Sequence, residues 1–252
     1  MFNYIRSEVY RNMHSKGNNM FLFGGMIFAI LLNLILSMQT YGDTNFALTS
    51  FYNAMRIIMI ISFPLISLIY GQEFKHHTLK NPVSYGISRS HIYFGKFLVE
   101  VALCILNLIC ISAVYVISAY IILGNTDIIH LVDFIRSLIA FTPLLLVSIA
   151  VAHCLHFVFD NEITVGIVWA IIIVIIPALL KTVGRRIEII GKVANLTPWN
   201  VIDATGYDEV TDRLFMTWSS STGFIKCFII GFIGVAIFYT LGFISFKSKQ
   251  IK

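Results

Sequence analysis

The sequence predicts an all-α polytopic membrane protein with six transmembrane helices and a short interfacial helix ahead of the first. Three observations predict it. Apolar runs recur at Met20–Ser37, Ile57–Tyr70, Phe97–Leu123, Leu138–Phe159, Ile163–Leu180 and Phe224–Phe246. Hydrophobic residues make up 58% of the chain against 12% charged, and the mean hydropathy is +0.83. A soluble domain carries about 25% charged residues, so this surface is built for lipid. A helix needs roughly 20 apolar residues to cross the hydrocarbon core, and only a helix or a closed barrel satisfies its backbone there. Six spans and short loops consume residues 1–252 as a single membrane domain, with no separate soluble domain expected.

The start, residues 1–19, places Phe2, Ile5, Val9 and Met13 at helical spacing, with Arg6, Glu8, Arg11 and Asn12 between them. That pattern predicts an amphipathic helix lying in the membrane interface. Lys16-Gly17-Asn18-Asn19 is expected to break it before the first span. The polar start and the lack of a small-residue cleavage pattern make that span a retained helix rather than a signal peptide.

Orientation follows from basic residues in short loops. Arg6, Arg11 and Lys16, then Lys75, Lys80, Arg89 and Lys96, then Lys247, Lys249 and Lys252 fall on one side. The short opposite loops offer only Arg56 and Arg136. Both termini and segment 71–96 are therefore expected in the cytoplasm. Segment 181–222 is then external despite Lys181, Arg185, Arg186, Lys192 and Arg213. Within it, Ile187, Ile189, Ile190 and Val193 suggest a short helix dipping into the outer leaflet. Trp199 and Trp218 suit an aromatic belt, and Arg56 is expected to snorkel to the headgroups. Asp160-Asn161-Glu162 alone joins the fourth and fifth spans as a tight hairpin.

The net charge of +5 is what a cytoplasmic excess of Lys and Arg produces, so nucleic acid is not an expected partner; membrane lipid is. Cys104, Cys110, Cys154 and Cys227 lie in apolar runs without a C-x-x-C pair and read as small core residues. No phosphate-cradling loop is present: Gly191-Lys192 and Gly95-Lys96 lack the leading glycine at the required spacing. Any ATP and magnesium must then sit on another chain. His153 and His156, three apart on one helix face, are the best metal or haem candidates, and a membrane redox enzyme using them is an alternative. A membrane sensor or scaffold is another. Asn33, Asn107 and Ser148 are expected to tie helices together. No predicted span carries an acid near its centre, Glu100 standing just inside the third, which argues against a proton-driven carrier.

Segment 71–96 is amphiphilic and long enough to dock a soluble partner, with Pro82 and Gly86 bounding a short surface helix. Its Glu73, Thr78-Leu79, Ser88-Arg89 and Gly95-Lys96 resemble the cytoplasmic segment after the second span of type-2 ATP-binding-cassette exporter permeases. In that family an acidic residue precedes Gly-Thr-Leu, a short helix follows, and Ser/Pro-Arg and Gly-Lys lead into the third span. Here His77 stands in place of the glycine and Pro82 falls early in the helix. The resemblance extends over the interfacial start, the six spans, the tight hairpin and the long external segment.

The resemblance implies a transport subunit, not an enzyme, in a bacterial cell membrane. It would pair with a second permease, identical or related, and with separate ATPase subunits that bind ATP and magnesium. A cytoplasmic coupling helix after Glu73 would seat on the ATPase, and Glu73, Thr78, Leu79, Ser88, Arg89 and Lys96 would carry force rather than chemistry. No cofactor would be bound by this chain. Permeases of this size resemble exporters of, or immunity factors against, amphipathic peptides such as bacteriocins, lantibiotics and phenol-soluble modulins. Other hydrophobic drugs rank second and sodium third as substrates. A pathway wall drawn from 21 Phe and 11 Tyr suits a lipid-partitioning substrate.

Overall fold

A computed structural model describes residues 2–76, 84, 86–124, 128–208 and 213–248. The chain is a multi-pass helical membrane protein, and among the described residues six helices are long and apolar enough to cross a bilayer. Thr78, Leu79 and Pro82, and with them the expected surface helix, lie outside the described residues.

Helix α1 (Phe2–Met13) breaks at His14 and Ser15. Lys16–Asn19 forms the first turn of α2 (Lys16–Ser37), because the Ser15 hydroxyl caps it by accepting from Asn18 N at 3.2 Å. The expected break at Lys16–Asn19 is thus moved upstream. The inward face of α1 also differs from the apolar stripe. Ile5 and Val9 pack on Ile69, Val99 and Leu103, but Glu8 and Asn12 are buried beside them. Gly95 permits this approach, since a Cβ there would stand 3.1 Å from the Tyr4 ring.

Helix α3 (Thr44–His76) begins well before Ile57. Asp43 caps it by accepting from Phe46 N at 2.7 Å. Its first turns bury Ala47, Leu48, Phe51 and Met55 at helical spacing, while Asn45, Thr49, Asn53 and Arg56 interrupt the apolar run and hid the start. Helix α4 (Arg89–Ile122) likewise starts before Phe97, and α5 (Ile128–Val158) before Leu138. Helix α5 is the axle of the bundle: most of its membrane-crossing window is buried, which is why it is apolar all round.

The hairpin after α5 is as short as expected, with Asn161 accepting from Ile163 N at 2.9 Å to cap α6 (Glu162–Ala170). The fifth span continues through a π-turn, Ile171–Ile175, into α7 (Ile176–Gly184). The segment beyond holds α8 (Glu188–Ala194), which is the expected short helix, and α9 (Pro198–Val201). A hairpin of β1 (Ala204–Asp208) and β2 (Arg213–Met216) follows, antiparallel, with a register irregularity between Ala204 and Gly206. Helix α10 (Ser221–Ser248) closes the bundle against α5. Glycine makes that contact possible, because a Cβ on Gly231 would stand 2.4 Å from Pro143 Cβ and one on Gly242 would stand 2.8 Å from Cys154 Cα.

Polar side chains tie the spans as the sequence suggests. Asn33 Nδ2 donates to Tyr115 O at 2.9 Å and to Ser118 Oγ at 2.7 Å, and Asn107 Nδ2 to Asn18 Oδ1 at 3.3 Å. Ser62 and Ser148 hydroxyls meet at 3.2 Å. The four cysteines are free, three of them buried. Contacts between helix ends bring α1, Arg89, the last turn of α10 and the α5–α6 hairpin to one end of the bundle, and residues 38–43, 185–208 and 213–220 to the other.

Candidate functional site

At the end that carries α1 and the last turn of α10, four helices converge on charged groups withdrawn from solvent. Lys96 and Glu100 stand four apart on α4 and so share one face. Lys96 is 1% exposed; its Nζ lies 3.3 Å from Glu8 Oε2 on α1 and 5.3 Å from the centre of the Tyr70 ring on α3. Arg11 closes on the same Glu8 oxygen at 2.6 Å. One turn deeper, Glu100 Oε1 is 2.9 Å from His153 Nδ1 on α5, and the Tyr70 hydroxyl is 2.8 Å from that same nitrogen. The side chains of both Glu100 and His153 have no accessible surface.

Aromatic rings close this pair in. Tyr93, Phe157 and Phe97 stand with ring centres 4.3, 5.0 and 5.2 Å from His153. Tyr93 also reaches α10, donating its hydroxyl to Tyr239 O at 3.1 Å. His156 stacks on Tyr70 at 4.5 Å, and its Nδ1 donates to Ala152 O at 2.7 Å. Within the described residues, Glu100 Oε2 and His153 Nε2 meet no hydrogen-bond partner. An ionised carboxylate only accepts, so an ionised Glu100 requires the proton on His153 Nδ1. The Tyr70 hydroxyl then accepts a share of that same N–H. Glu100, Tyr70 and His153 Nδ1 thus tie α4, α3 and α5 together at one point.

The residues singled out in segment 71–96 are divided by the fold. Ser88 is the N-cap of α4, accepting from His91 N at 3.4 Å. Arg89 donates to Lys247 O at 3.0 Å and Phe246 O at 3.4 Å, placing a cation on the carbonyl end of α10. Lys96 joins the buried cluster. Glu73 lies in the last turn of α3, and Thr78 and Leu79 fall outside the described residues. His153 and His156 share a face as their spacing implies, yet no group of three His, Cys, Asp or Glu among the described residues could hold a metal ion.

Glu8, Tyr70, Tyr93 and the role of Glu100 were missed from the sequence. The Lys96–Glu100 spacing inside a span was the available signal, since paired charges at such depth need partners.

The opposite end has its own ionic knot. Asp203, just after α9, accepts from both Arg56 of α3 and Lys181 of α7. The Arg56 guanidinium also lies 5.5 Å from the Trp199 ring centre. Arg56 is thus held at this end by Asp203 and Trp199. Trp218 leaves the expected belt. It is buried, with Nε1 donating to Ser137 Oγ of α5 at 2.9 Å.

No protein-family model and no curated protein matches this chain.

Proposed function

We propose that the chain is the transmembrane permease subunit of an ATP-binding-cassette exporter. In this reading it moves a hydrophobic or amphipathic substrate, foremost an antimicrobial or cytolytic peptide, with energy from ATP hydrolysed on a separate ATPase chain. The end that carries both termini faces the cytoplasm, and segment 71–96 receives the ATPase. A second permease subunit completes the pathway.

The observation that carries the reading is the position of Lys96. It closes the motif that resembles the family's coupling segment, and its side chain is buried against Glu8 and Tyr70. Tyr70 in turn contacts His153, which contacts Glu100. A displacement imposed on the start of α4 would pass through these contacts to α1, α3 and α5 together. Different contacts with the ATP-bound and ATP-free partner would then shift the balance between two arrangements of the spans.

The testing experiment is purification of the tagged chain from native membranes, with identification of what comes with it. The reading expects an ATPase carrying its own phosphate-binding loop, and expects Arg89→Ala to weaken that association. An ATPase-free preparation that retains transport overturns it.

A further inference from the structure

We propose that α10 holds a single anionic phospholipid at the end of the bundle opposite the termini. Phe224, Ile225, Phe228, Ile229, Phe232 and Ile233 line an open groove of about 450 Å³ that is apolar throughout. The Phe224, Phe228 and Phe232 rings step down it with centres 5.2 and 6.1 Å apart. From Phe224 to Ile233 a helix advances about 14 Å. The hydrocarbon of one leaflet is about 15 Å deep. The groove therefore has the length of one acyl chain.

Cations flank its head. The Arg136 guanidinium of α5 lies 5.6 Å from the Phe224 ring centre at one edge. Lys226 stands at the other, lining an adjoining cleft of about 670 Å³ with the hydroxyl-bearing Thr217, Ser219, Ser220 and Thr222. Elsewhere at this end Arg56 and Lys181 hold Asp203 and Lys192 holds Glu188 at 2.7 Å, while the exposed Arg185 and Arg186 line neither the groove nor the cleft. Among the described residues, neither Arg136 nor Lys226 is in an ion pair. Two uncompensated positive charges and neighbouring hydroxyls above an acyl-length groove match a phosphate headgroup with its chain.

A protein helix fits this face poorly. Helices pack closely in membranes through small residues. Gly231 and Gly234 of α10 are turned inward: a Cβ on Gly231 would meet Pro143, and one on Gly234 would meet Val147 Cγ2 at 2.7 Å. The groove face offers only bulky Phe and Ile.

The experiment is native mass spectrometry of the full chain in mild detergent. It is titrated with phosphatidylglycerol and, separately, phosphatidylcholine of identical acyl chains. One phosphatidylglycerol is expected to be retained in preference to phosphatidylcholine. Lys226→Gln and Arg136→Gln should each reduce that preference about fivefold. Lys192→Gln should leave it unchanged, and Phe228→Ala should weaken retention of both lipids. A photoreactive phosphatidylglycerol should crosslink to Ile229 or Ile233 in the unaltered chain, a result that needs no variant to fold. Equal retention of the two lipids, a preference unmoved in the Lys226→Gln chain, or crosslinks only elsewhere would overturn the proposal. So would retention of an added amphipathic peptide in the groove with no lipid preference.

Discussion

Glu100 and His153 meet at 2.9 Å between α4 and α5, and neither side chain touches solvent. A charged or proton-sharing pair in a membrane interior is costly unless each group holds the other. Around this pair the Tyr70 hydroxyl and the Tyr93 ring bring in α3 and α10. Removing one member should therefore cost more than removing both. Glu100→Ala or His153→Ala is expected to lose roughly 3–5 kcal/mol of stability, whereas Glu100→Gln with His153→Gln should recover part of that loss. Thermal unfolding of the purified chain in detergent checks this; strictly additive losses would remove the coupling.

Helix α1 hangs on the Glu8–Lys96 contact. Glu8→Ala removes the carboxylate that Lys96 meets on α1, and α1 should become the first element to open. Hydrogen exchange of residues 2–13 should rise sharply, while exchange in α5 stays low. Equal protection of α1 in the variant and the parent chain would show that Ile5, Val9 and Tyr4 hold it unaided.

The contact between α10 and α5 requires glycine at two heights. Gly231→Ala places a methyl 2.4 Å from Pro143 Cβ and 2.7 Å from its carbonyl oxygen, which cannot yield without moving a helix. A loss of about 1–3 kcal/mol is expected. Gly24→Ala is the counterpart: no atom lies within 4 Å of the added carbon, and the gain in helix propensity favours the variant by up to about 1 kcal/mol. Unfolding midpoints of the two variants should move in opposite directions.

Asp203 pins residues 199–203 to α3 and α7 through Arg56 and Lys181. Asp203→Asn should loosen the segment from α8 to the β-hairpin and raise protease cleavage there, without dispersing the spans. Unchanged cleavage would assign the anchoring to Asn200, whose Nδ2 donates to Pro177 O at 2.9 Å and Ala194 O at 3.1 Å.

The six spans were legible because hydrocarbon demands long apolar runs, and no other signal in the sequence is so strong. The starts of α3, α4 and α5 were not. Their opening turns mix Thr49, Arg56, Lys96 and His130 with apolar residues, and only the neighbouring helices decide that such turns continue the span. The Asn161 cap and the α8 helix were readable locally. The β-hairpin was not, since Ala204–Asp208 carries no clear alternation and its pairing with Arg213–Met216 sets it. The histidine face was legible as spacing, but the pairing of His153 with Glu100 depends on the rotation of two helices about their axes. Glu8 was assigned to the polar face of α1 because Lys96, the reason for its burial, lies far along the chain.

In the proposed function this membrane-embedded chain takes its energy from a separate ATPase that grips segment 71–96. ATP hydrolysis by the complex isolated from native membranes, with and without substrate peptide, tests it most directly when repeated with Glu73→Ala and Arg89→Ala. The account expects the substrate-stimulated rate to fall severalfold in both variants while the parent complex responds. Full stimulation in both, or transport by the isolated chain with no ATPase present, would contradict it.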